Sequence, residues 1–161
     1  MSHPLEALCH QLLDAARSAG ADAADSMAVG GTSVSIDIRE GRLEQAERSE
    51  GVDLGLRVFV GQRQANVSAS DIRPETLQEM ALRAVAMARE APQDPHAGLA
   101  DPSQLAQNID ANALQLCDPA AEPTPEALQE DALQAEAAAQ QIAGISQVQG
   151  ANAGYGRTDI W

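Results

Sequence analysis

Hydrophobic positions along the chain recur at helical spacing in the first twenty residues and at strand spacing after them. Leu5, Leu8 and Leu12 share one helical face, and Gly20 is a typical stop, so the pattern predicts a helix over Pro4–Ala19. Beyond Gly20, apolar and polar residues alternate, as in strands with one solvated face. The alternation predicts five strands, over Met27–Val29, Val34–Arg39, Leu43–Arg48, Val52–Val60 and Gln64–Ser70.

Short polar or glycine-containing breaks separate these strands, and strands joined by such turns are antiparallel neighbours. The predicted turns lie at Gly30-Gly31, Glu40-Gly41, Ser49-Glu50-Gly51 and Gly61-Gln62-Arg63. Gly55 falls inside the most regular strand, where a glycine indicates a bulge or a close approach of another backbone.

The second half of the chain is helical at two places. Pro74 opens a helix that continues to about Arg89, and Thr124 caps a helix that Pro125 opens and that continues to about Ile142. Proline-rich residues 91–102 predict an irregular stretch between them. Three short extended pieces complete the prediction, at Leu114–Cys117, Ile145–Gly150 and Tyr155–Trp161.

These elements predict an α+β fold, in which an antiparallel sheet of about four strands is flanked by helices and followed by a helix and the start of a further sheet. We expect an N-terminal α+β domain over residues 4–90 and an irregular connection over 91–123. Residues 124–161 would begin a second subdomain. Because the alternation still runs at Trp161, we expect the chain to be an N-terminal piece of a longer protein.

Composition narrows the class of protein. Leu, Ile, Val and Phe make up only 31 of 161 residues while alanine contributes 32, which predicts a folded domain with a lean core. The net charge is −14, all ten basic residues are scattered arginines, and this argues against direct binding of nucleic acid. No apolar run is long enough to span a membrane, and the N-terminus does not resemble a secretory signal. Cys9 and Cys117 are interpreted as reduced thiols of a cytosolic protein.

Candidate chemistry is sparse. His3 and His10 are seven residues apart and do not form the zinc-binding pair of histidines four residues apart. His96 with Asp94 and Asp101 could bind a metal, although the neighbouring prolines favour a structural loop. Solvation of a strand and its turns accounts for the remaining carboxylate cluster, Glu40, Glu44, Glu47 and Glu50.

Nucleophile and phosphate motifs are also absent from the sequence. The serines of Ser68-Ala69-Ser70 are expected to pair within the sheet, and the glycines of Gly51-x-x-x-Gly55 lie in a strand and not in a nucleotide loop. These residues therefore predict no self-contained active site.

Several phrases, taken in order, resemble the N-terminal domain of the TldD/PmbA family, and specifically its PmbA (TldE) branch. They are Ser33-Val-Ser-Ile-Asp-Ile-Arg-Glu-Gly-Arg-Leu-Glu44, Gly51-Val-Asp-Leu-Gly-Leu-Arg-Val-Phe-Val-Gly-Gln-Arg63, Ser68-Ala-Ser-Asp-Ile-Arg-Pro74, Asp94-Pro-His-Ala-Gly-Leu-Ala-Asp101 and Asp118-Pro119. The resemblance runs from about residue 5 to the end of the chain, and the phrase at residues 94–101 is the most typical of the branch.

The resemblance implies a cytoplasmic, heteromeric zinc metallopeptidase in which a TldD-like subunit carries the zinc and a PmbA-like subunit does not. Members of the family are associated with trimming the leaders of peptide antibiotics and with degrading an antitoxin, and they carry the older label "modulator of DNA gyrase". It thus implies a TldD-like partner and peptide substrates, and it implies no catalytic residue, no metal ligand and no cofactor in this chain.

Within that role, an exposed sheet face or edge could hold an extended peptide by strand addition. Gly55, which allows close backbone approach, and Leu43 and Gln45 of the polar strand are the residues we expect to bind peptide. Two other readings stay open: a non-enzymatic module that regulates a toxin–antitoxin or gyrase system, and an independent hydrolase that uses His96.

Overall fold

The computed structural model describes residues 4–107, 110 and 113–161. The elements in chain order are helix α1 (Pro4–Ala19), strands β1 (Ala23–Arg39), β2 (Arg42–Val60) and β3 (Arg63–Ala69), helix α2 (Pro74–Glu90), a 3-10 turn (Pro102–Gln104), helix α3 (Pro125–Gln140) and strand β4 (Ala151–Ile160). The predicted α+β class is confirmed, and the three helices begin at the predicted residues.

One four-stranded sheet has the order β3-β2-β1-β4. β2 and β3 are antiparallel, with Leu54 opposite Ala69 at one end and Val60 opposite Arg63 at the other. Ala28 of β1 and Trp161, just beyond β4, exchange two backbone N–H···O bonds of 2.9 Å each. This exchange marks a hydrogen-bonded pair of an antiparallel ladder.

Two predicted turns do not exist. β1 runs through Gly30-Gly31 and β2 runs through Ser49-Glu50-Gly51, so each strand replaces two shorter predicted ones. None of these three glycines adopts the left-handed backbone conformation that a tight turn would use. A glycine permits a turn without requiring it, and here the ladder with the neighbouring strand satisfies the backbone instead.

Two predicted extended pieces are also wrong. The segment at Leu114–Cys117 contains a turn, in which Gln115 has φ = 52°. Residues 145–150 form no strand, and the Ile145 N–H instead donates to the Ile142 carbonyl at 3.1 Å in a turn that follows α3. The last strand begins only at Ala151.

The chain divides into two compact units. Unit 1 comprises the described residues of Met1–Gly30, Gly51–Ile109 and Asp159–Trp161, and unit 2 those of Gly31–Glu50 and Asp110–Thr158. The long strands β1 and β2 therefore contribute to both.

The core of unit 1 lies between its part of the sheet and helices α1 and α2. Apolar strand residues meet a helix surface that is rich in alanine, which lets the helices approach closely. The buried members of the cluster are Leu5, Cys9, Leu12, Ala16, Ala28, Leu54, Leu56, Val58, Leu77, Met80, Ala81, Ala84, Val85 and Ala88. A lean composition thus still gives a continuous core.

The core of unit 2 is smaller. Val34, Ile36 and Ile38 of β1 pack against Leu128 and Ala132 of α3, with Leu133, Ala153 and Tyr155 partly buried at the margin. The Thr124 hydroxyl accepts a hydrogen bond from the Ala127 N–H at 3.2 Å, which caps α3 at the predicted residue.

A buried carboxylate holds the turn between β1 and β2. Glu40 and Gly41 both have positive φ, 52° and 71°. Their N–H groups donate to the two carboxylate oxygens of Glu136 at 2.8 and 2.7 Å, and Glu136 is only 3% exposed. A charge-assisted pair of hydrogen bonds from α3 thus fixes the hairpin tip.

We expect Glu136→Gln to lower the free energy of unfolding by about 1.5–3 kcal/mol, because an amide offers one acceptor where two backbone donors point at the carboxylate. Urea unfolding of the two proteins measures the change. The exposed Glu130→Gln on the same helix is the control and should change stability by less than about 0.5 kcal/mol. Equal effects of the two variants would contradict the assignment.

The start of α2 is held by a second carboxylate. Asp71 accepts hydrogen bonds from the Arg73 backbone N–H at 3.0 Å and the Thr76 hydroxyl at 2.9 Å, and it forms an ion pair with the Arg73 guanidinium. The Arg73 side chain, its backbone N–H and the Thr76 hydroxyl together hold the pKa of Asp71 well below its usual range.

A carboxylate with a lowered folded-state pKa stabilises the fold above its unfolded pKa of about 3.9, and that stability is lost as the pH falls toward the folded value. Asp71→Asn should therefore lose less stability than the wild type between about pH 6 and pH 2.5. Urea midpoints across this range provide the measurement. Glu90→Gln should follow the wild type, and an Asp71→Asn curve parallel to the wild-type curve would contradict the prediction.

Candidate functional site

A groove of about 600 Å³ lies on the sheet in unit 1. In β2, Leu54, Leu56 and Val58 point into the core of unit 1, so the alternate residues Gly55 and Arg57 belong to the opposite face. The groove is open on that face, and its principal lining residues are Asp25, Met27, Gly55, Arg57, Asn66 and Ser68.

One wall of the groove is an ion pair between Arg57 and Asp25, whose charges cancel. The Arg57 Nε donates to both oxygens of Asp25, at 3.0 and 3.1 Å, and the Arg57 guanidinium carbon lies 5.2 Å from the centre of the Phe59 ring. Hydrogen bonding to Asp25 raises the pKa of Arg57. The guanidinium is therefore fixed in place, with its charge balanced locally.

The floor of the groove depends on a glycine. Gly55 lies directly opposite Ser68, and the neighbouring Arg57 lies opposite Asn66. A Cβ at Gly55 would come no closer than 3.9 Å to its nearest neighbour, the Met27 carbonyl oxygen, so the space above it is open. Within the described part of the chain, the Asn66 amide and the Ser68 hydroxyl have no hydrogen-bonding partner from the protein. The groove thus offers these two polar groups beside the open space above Gly55, here called the notch.

A second exposed feature belongs to unit 2. Residues 42–50 of β2, here called the polar edge, are exposed on both faces of the sheet. β3 pairs with β2 only from Leu54 onwards, and among residues 4–107, 110 and 113–161 no other strand lies beside this part of β2 on the side away from β1. The backbone N–H and C=O groups of the polar edge that point away from β1 therefore have no strand partner in the described part of the chain.

Ion pairs organise the side chains of the polar edge. Arg39 Nη1 lies 3.3 Å from Glu44 Oε1, and Arg48 Nη2 lies 2.6 Å from Glu50 Oε1. Arg48 also pairs with Glu122, which precedes α3. Hydrogen bonding to Glu122 is the largest of the causes that raise the pKa of Arg48, and hydrogen bonding to Glu50 is the next.

The structure separates the three residues predicted to bind peptide. Gly55 lines the groove of unit 1, whereas Leu43 and Gln45 lie on the polar edge of unit 2. Whether any of them binds peptide stays a prediction.

The two carboxylates considered for metal binding accept hydrogen bonds from residues close to them in the sequence. Asp94 accepts a hydrogen bond from the His96 N–H at 2.9 Å, and Asp101 accepts from the Ser103 N–H at 2.8 Å. In the described ranges no three His, Cys, Asp or Glu side chains converge as metal ligands. His10 lies 4.0 Å from Glu6, and His3 lies outside the described residues.

Other expectations can be compared with the structure directly. Cys9 and Cys117 are both free thiols, the first buried and the second exposed. Ser68 lies in β3, paired with β2 as predicted, and Ser70 donates to Asp53 from just beyond the strand. Across the described residues, the helices are too short or too polar to traverse a bilayer.

Sequence reasoning missed two interactions at these places. Asp25 and Arg57 are 32 residues apart, and Glu136 reaches a turn 95 residues earlier in the chain. The only signal for Glu136 was a lone charge inside the alanine-rich stretch of α3.

Known proteins match this chain in both sequence and fold. The family description "PmbA/TldA metallopeptidase domain 1" matches residues 24–88. The protein named Metalloprotease PmbA from Escherichia coli O157:H7 is 35% identical over 129 residues, which are 80% of this chain and 27% of that protein. The Metalloprotease PmbA homolog of Haemophilus influenzae is 35% identical over 130 residues, or 80% and 28%.

Two solved structures share the fold. TldE from Thermococcus kodakarensis superimposes with a TM-score of 0.73 at 16% identity, covering 95% of this chain and 34% of that one. A protein described as a modulator of DNA gyrase from Bacteroides thetaiotaomicron gives 0.72 at 19% identity, covering 96% and 35%. At these identities the likeness shows the fold alone.

These matches define the class of protein, because the chain carries the first domain of a metallopeptidase family. It belongs to the PmbA/TldD family, and its sequence relatives carry the name PmbA. The chain spans about a quarter of the length of those curated relatives.

The open space above Gly55 generates a prediction about stability. Gly55→Ala and Gly55→Val should both fold, with stability unchanged or raised by about 0.5–1 kcal/mol, because a side chain fits and the unfolded chain loses freedom. Urea unfolding measures this. A loss of more than about 1 kcal/mol in the alanine variant would show that the notch is needed for packing.

Proposed function

We propose that this chain is the N-terminal module of a PmbA/TldE-like subunit in a cytoplasmic, heteromeric zinc metallopeptidase that processes or degrades peptides. The zinc would lie on a TldD-like partner subunit. Family membership supports the metallopeptidase class, and the name PmbA of the two sequence relatives supports the subunit type.

The chemistry of the described residues supports a non-catalytic role. They do not fit a zinc site, because a catalytic zinc needs three converging protein ligands and no such group of side chains exists among them. We accordingly assign the zinc and the catalytic part of the reaction to the TldD-like partner subunit.

The observation that carries the proposal is the polar edge with its free outer backbone. A sheet edge of this kind can hold an extended peptide through main-chain hydrogen bonds, which gives affinity with little dependence on sequence. Such binding suits a subunit that presents peptides to a catalytic partner.

The net charge of −14 bears on the name "modulator of DNA gyrase" that members of the family carry. A strongly acidic surface repels nucleic acid, so any effect on gyrase would run through a protein and not through DNA. A regulatory interaction module is the alternative that the experiment below tests.

Capture of the full-length protein from its own cells, followed by partner identification and zinc analysis, tests the proposal. We expect a stoichiometric TldD-like partner, about one zinc per pair, and peptidase activity that depends on both subunits. Gly55→Val in the assembled pair should weaken competitive peptide binding while the pair stays intact.

Two outcomes would overturn the proposal. Peptidase activity of the partner that persists after this subunit has been removed would exclude a role of this subunit in peptide handling. Capture of a toxin–antitoxin component or gyrase, without zinc, would establish the interaction-module alternative.

A further inference from the structure

We infer that helix α3 is a detachable lid of unit 2, which the carboxylate of Glu136 latches over the buried apolar residues of β1. The lid opens as a whole while the core of unit 1 stays folded. This inference goes beyond the proposed function and does not depend on it, because it concerns only contacts within the chain.

Packing holds α3 by a narrow contact. Only three of its sixteen residues are buried, Leu128, Ala132 and Glu136, which follow one another at intervals of four and form a single line along the helix. Helix α2 of unit 1 has nearly the same length, and six of its apolar residues are buried: Leu77, Met80, Ala81, Ala84, Val85 and Ala88. Because hydrophobic stabilisation grows with the apolar area removed from water, α3 is held less firmly than α2.

The connections at both ends of α3 allow it to move as one body. Residues 113–123 before it and 141–150 after it form no helix or strand, and none of them is buried. Arg48 pairs with Glu122 in the first of these segments, and an exposed ion pair contributes little to stability. The helix can therefore leave the sheet without the unfolding of a helix or strand on either side.

The third buried residue of α3 makes the contact specific and reversible. Glu136 is buried, and its two carboxylate oxygens accept the Glu40 and Gly41 N–H groups at 2.8 and 2.7 Å. A carboxylate is buried at low cost only where such donors replace water, so the hairpin tip fixes one closed position of α3. In the open position water solvates the carboxylate and both N–H groups again, which keeps the net cost of opening small.

Opening changes the surface of unit 2. Val34, Ile36 and Ile38 are buried in the closed state, where they pack with Leu128 and Ala132. Once α3 has left, these three side chains form an apolar strip on one face of β1, because alternate residues of a strand share a face. The closed lid thus covers an apolar surface of a kind that soluble proteins rarely leave exposed.

Hydrogen exchange of the full-length protein, followed by mass spectrometry, tests the inference without any substitution. We expect the interior amides of α3 to exchange at least about 100-fold faster than those of α2, because they exchange through lid opening and not through global unfolding. An undocked helix of this length is marginal in water and exchanges readily. Low urea should accelerate exchange in α2 more steeply than in α3, since global unfolding exposes more surface than lid opening.

Thiol labelling compares two buried positions. Ala132→Cys places a thiol under the lid, and Cys9, buried in the core of unit 1, is the matched control. The exposed Cys117 is removed by Cys117→Ser. We expect the introduced thiol to react with a maleimide at least about 100-fold faster than Cys9, as read by mass spectrometry of the labelled peptides.

Glu136→Gln tests the latch. The amide keeps only one of the two acceptors, so exchange in α3 and labelling of the thiol at position 132 should rise about ten-fold, while α2 and Cys9 change by less than about two-fold. Glu130→Gln, an exposed substitution on the same helix, should leave all of these rates within about two-fold of the wild type.

Two results would overturn the inference, whether or not a zinc-bearing partner is captured. Equal labelling of the two thiols, or equal exchange of α3 and α2 at every urea concentration, would show that unit 2 opens only when the whole protein unfolds. Equal acceleration of α3, α2 and Cys9 by Glu136→Gln would show a general loss of stability and no latch. If Glu136→Gln does not fold, exchange of the wild type and labelling of the Ala132→Cys protein decide the question.

Discussion

The hairpin turn between β1 and β2 is the constraint on which unit 2 depends. A shift of one residue in the pairing of two strands moves every side chain to the other face of the sheet. Here Val34, Ile36 and Ile38 reach α3 only in one register. Glu136, itself on α3, binds the two N–H groups of the turn that sets this register. The helix that needs the apolar face therefore also fixes the turn that provides it.

The regular elements with strong local signals could be predicted from the sequence. Helices α1, α2 and α3 begin at Pro4, Pro74 and Pro125, because proline fits the first helical turn and an apolar stripe follows each one. The strand breaks were wrong for the opposite reason. Gly30-Gly31 and Ser49-Glu50-Gly51 are local signals that allow a turn, but neighbouring strands continue alongside them, and this cannot be read from one strand alone.

The candidate site was predictable only in part. A glycine in the middle of an apolar strand predicted a bulge or a close backbone approach at Gly55, but Gly55 pairs regularly with Ser68 and the space above it is open, on the floor of a groove. The same reasoning assigned Leu43 and Gln45 to a separate strand, because it predicted a turn at Ser49-Glu50-Gly51, whereas β2 runs through these residues. The pairings of Asp25 with Arg57 and of Glu136 with the turn join residues far apart in the chain, for which a single sequence carries almost no signal.

An exposed strand edge is hazardous for a soluble protein, because it can pair with any other strand, including a second copy of itself. Charged side chains on the edge reduce this hazard, and the polar edge carries Arg42, Glu44, Glu47, Arg48 and Glu50. The same charges do not block the backbone, since side chains stand above and below the sheet while the N–H and C=O groups lie in its plane. A charged edge is therefore protected against uncontrolled pairing while its backbone groups stay exposed to solvent.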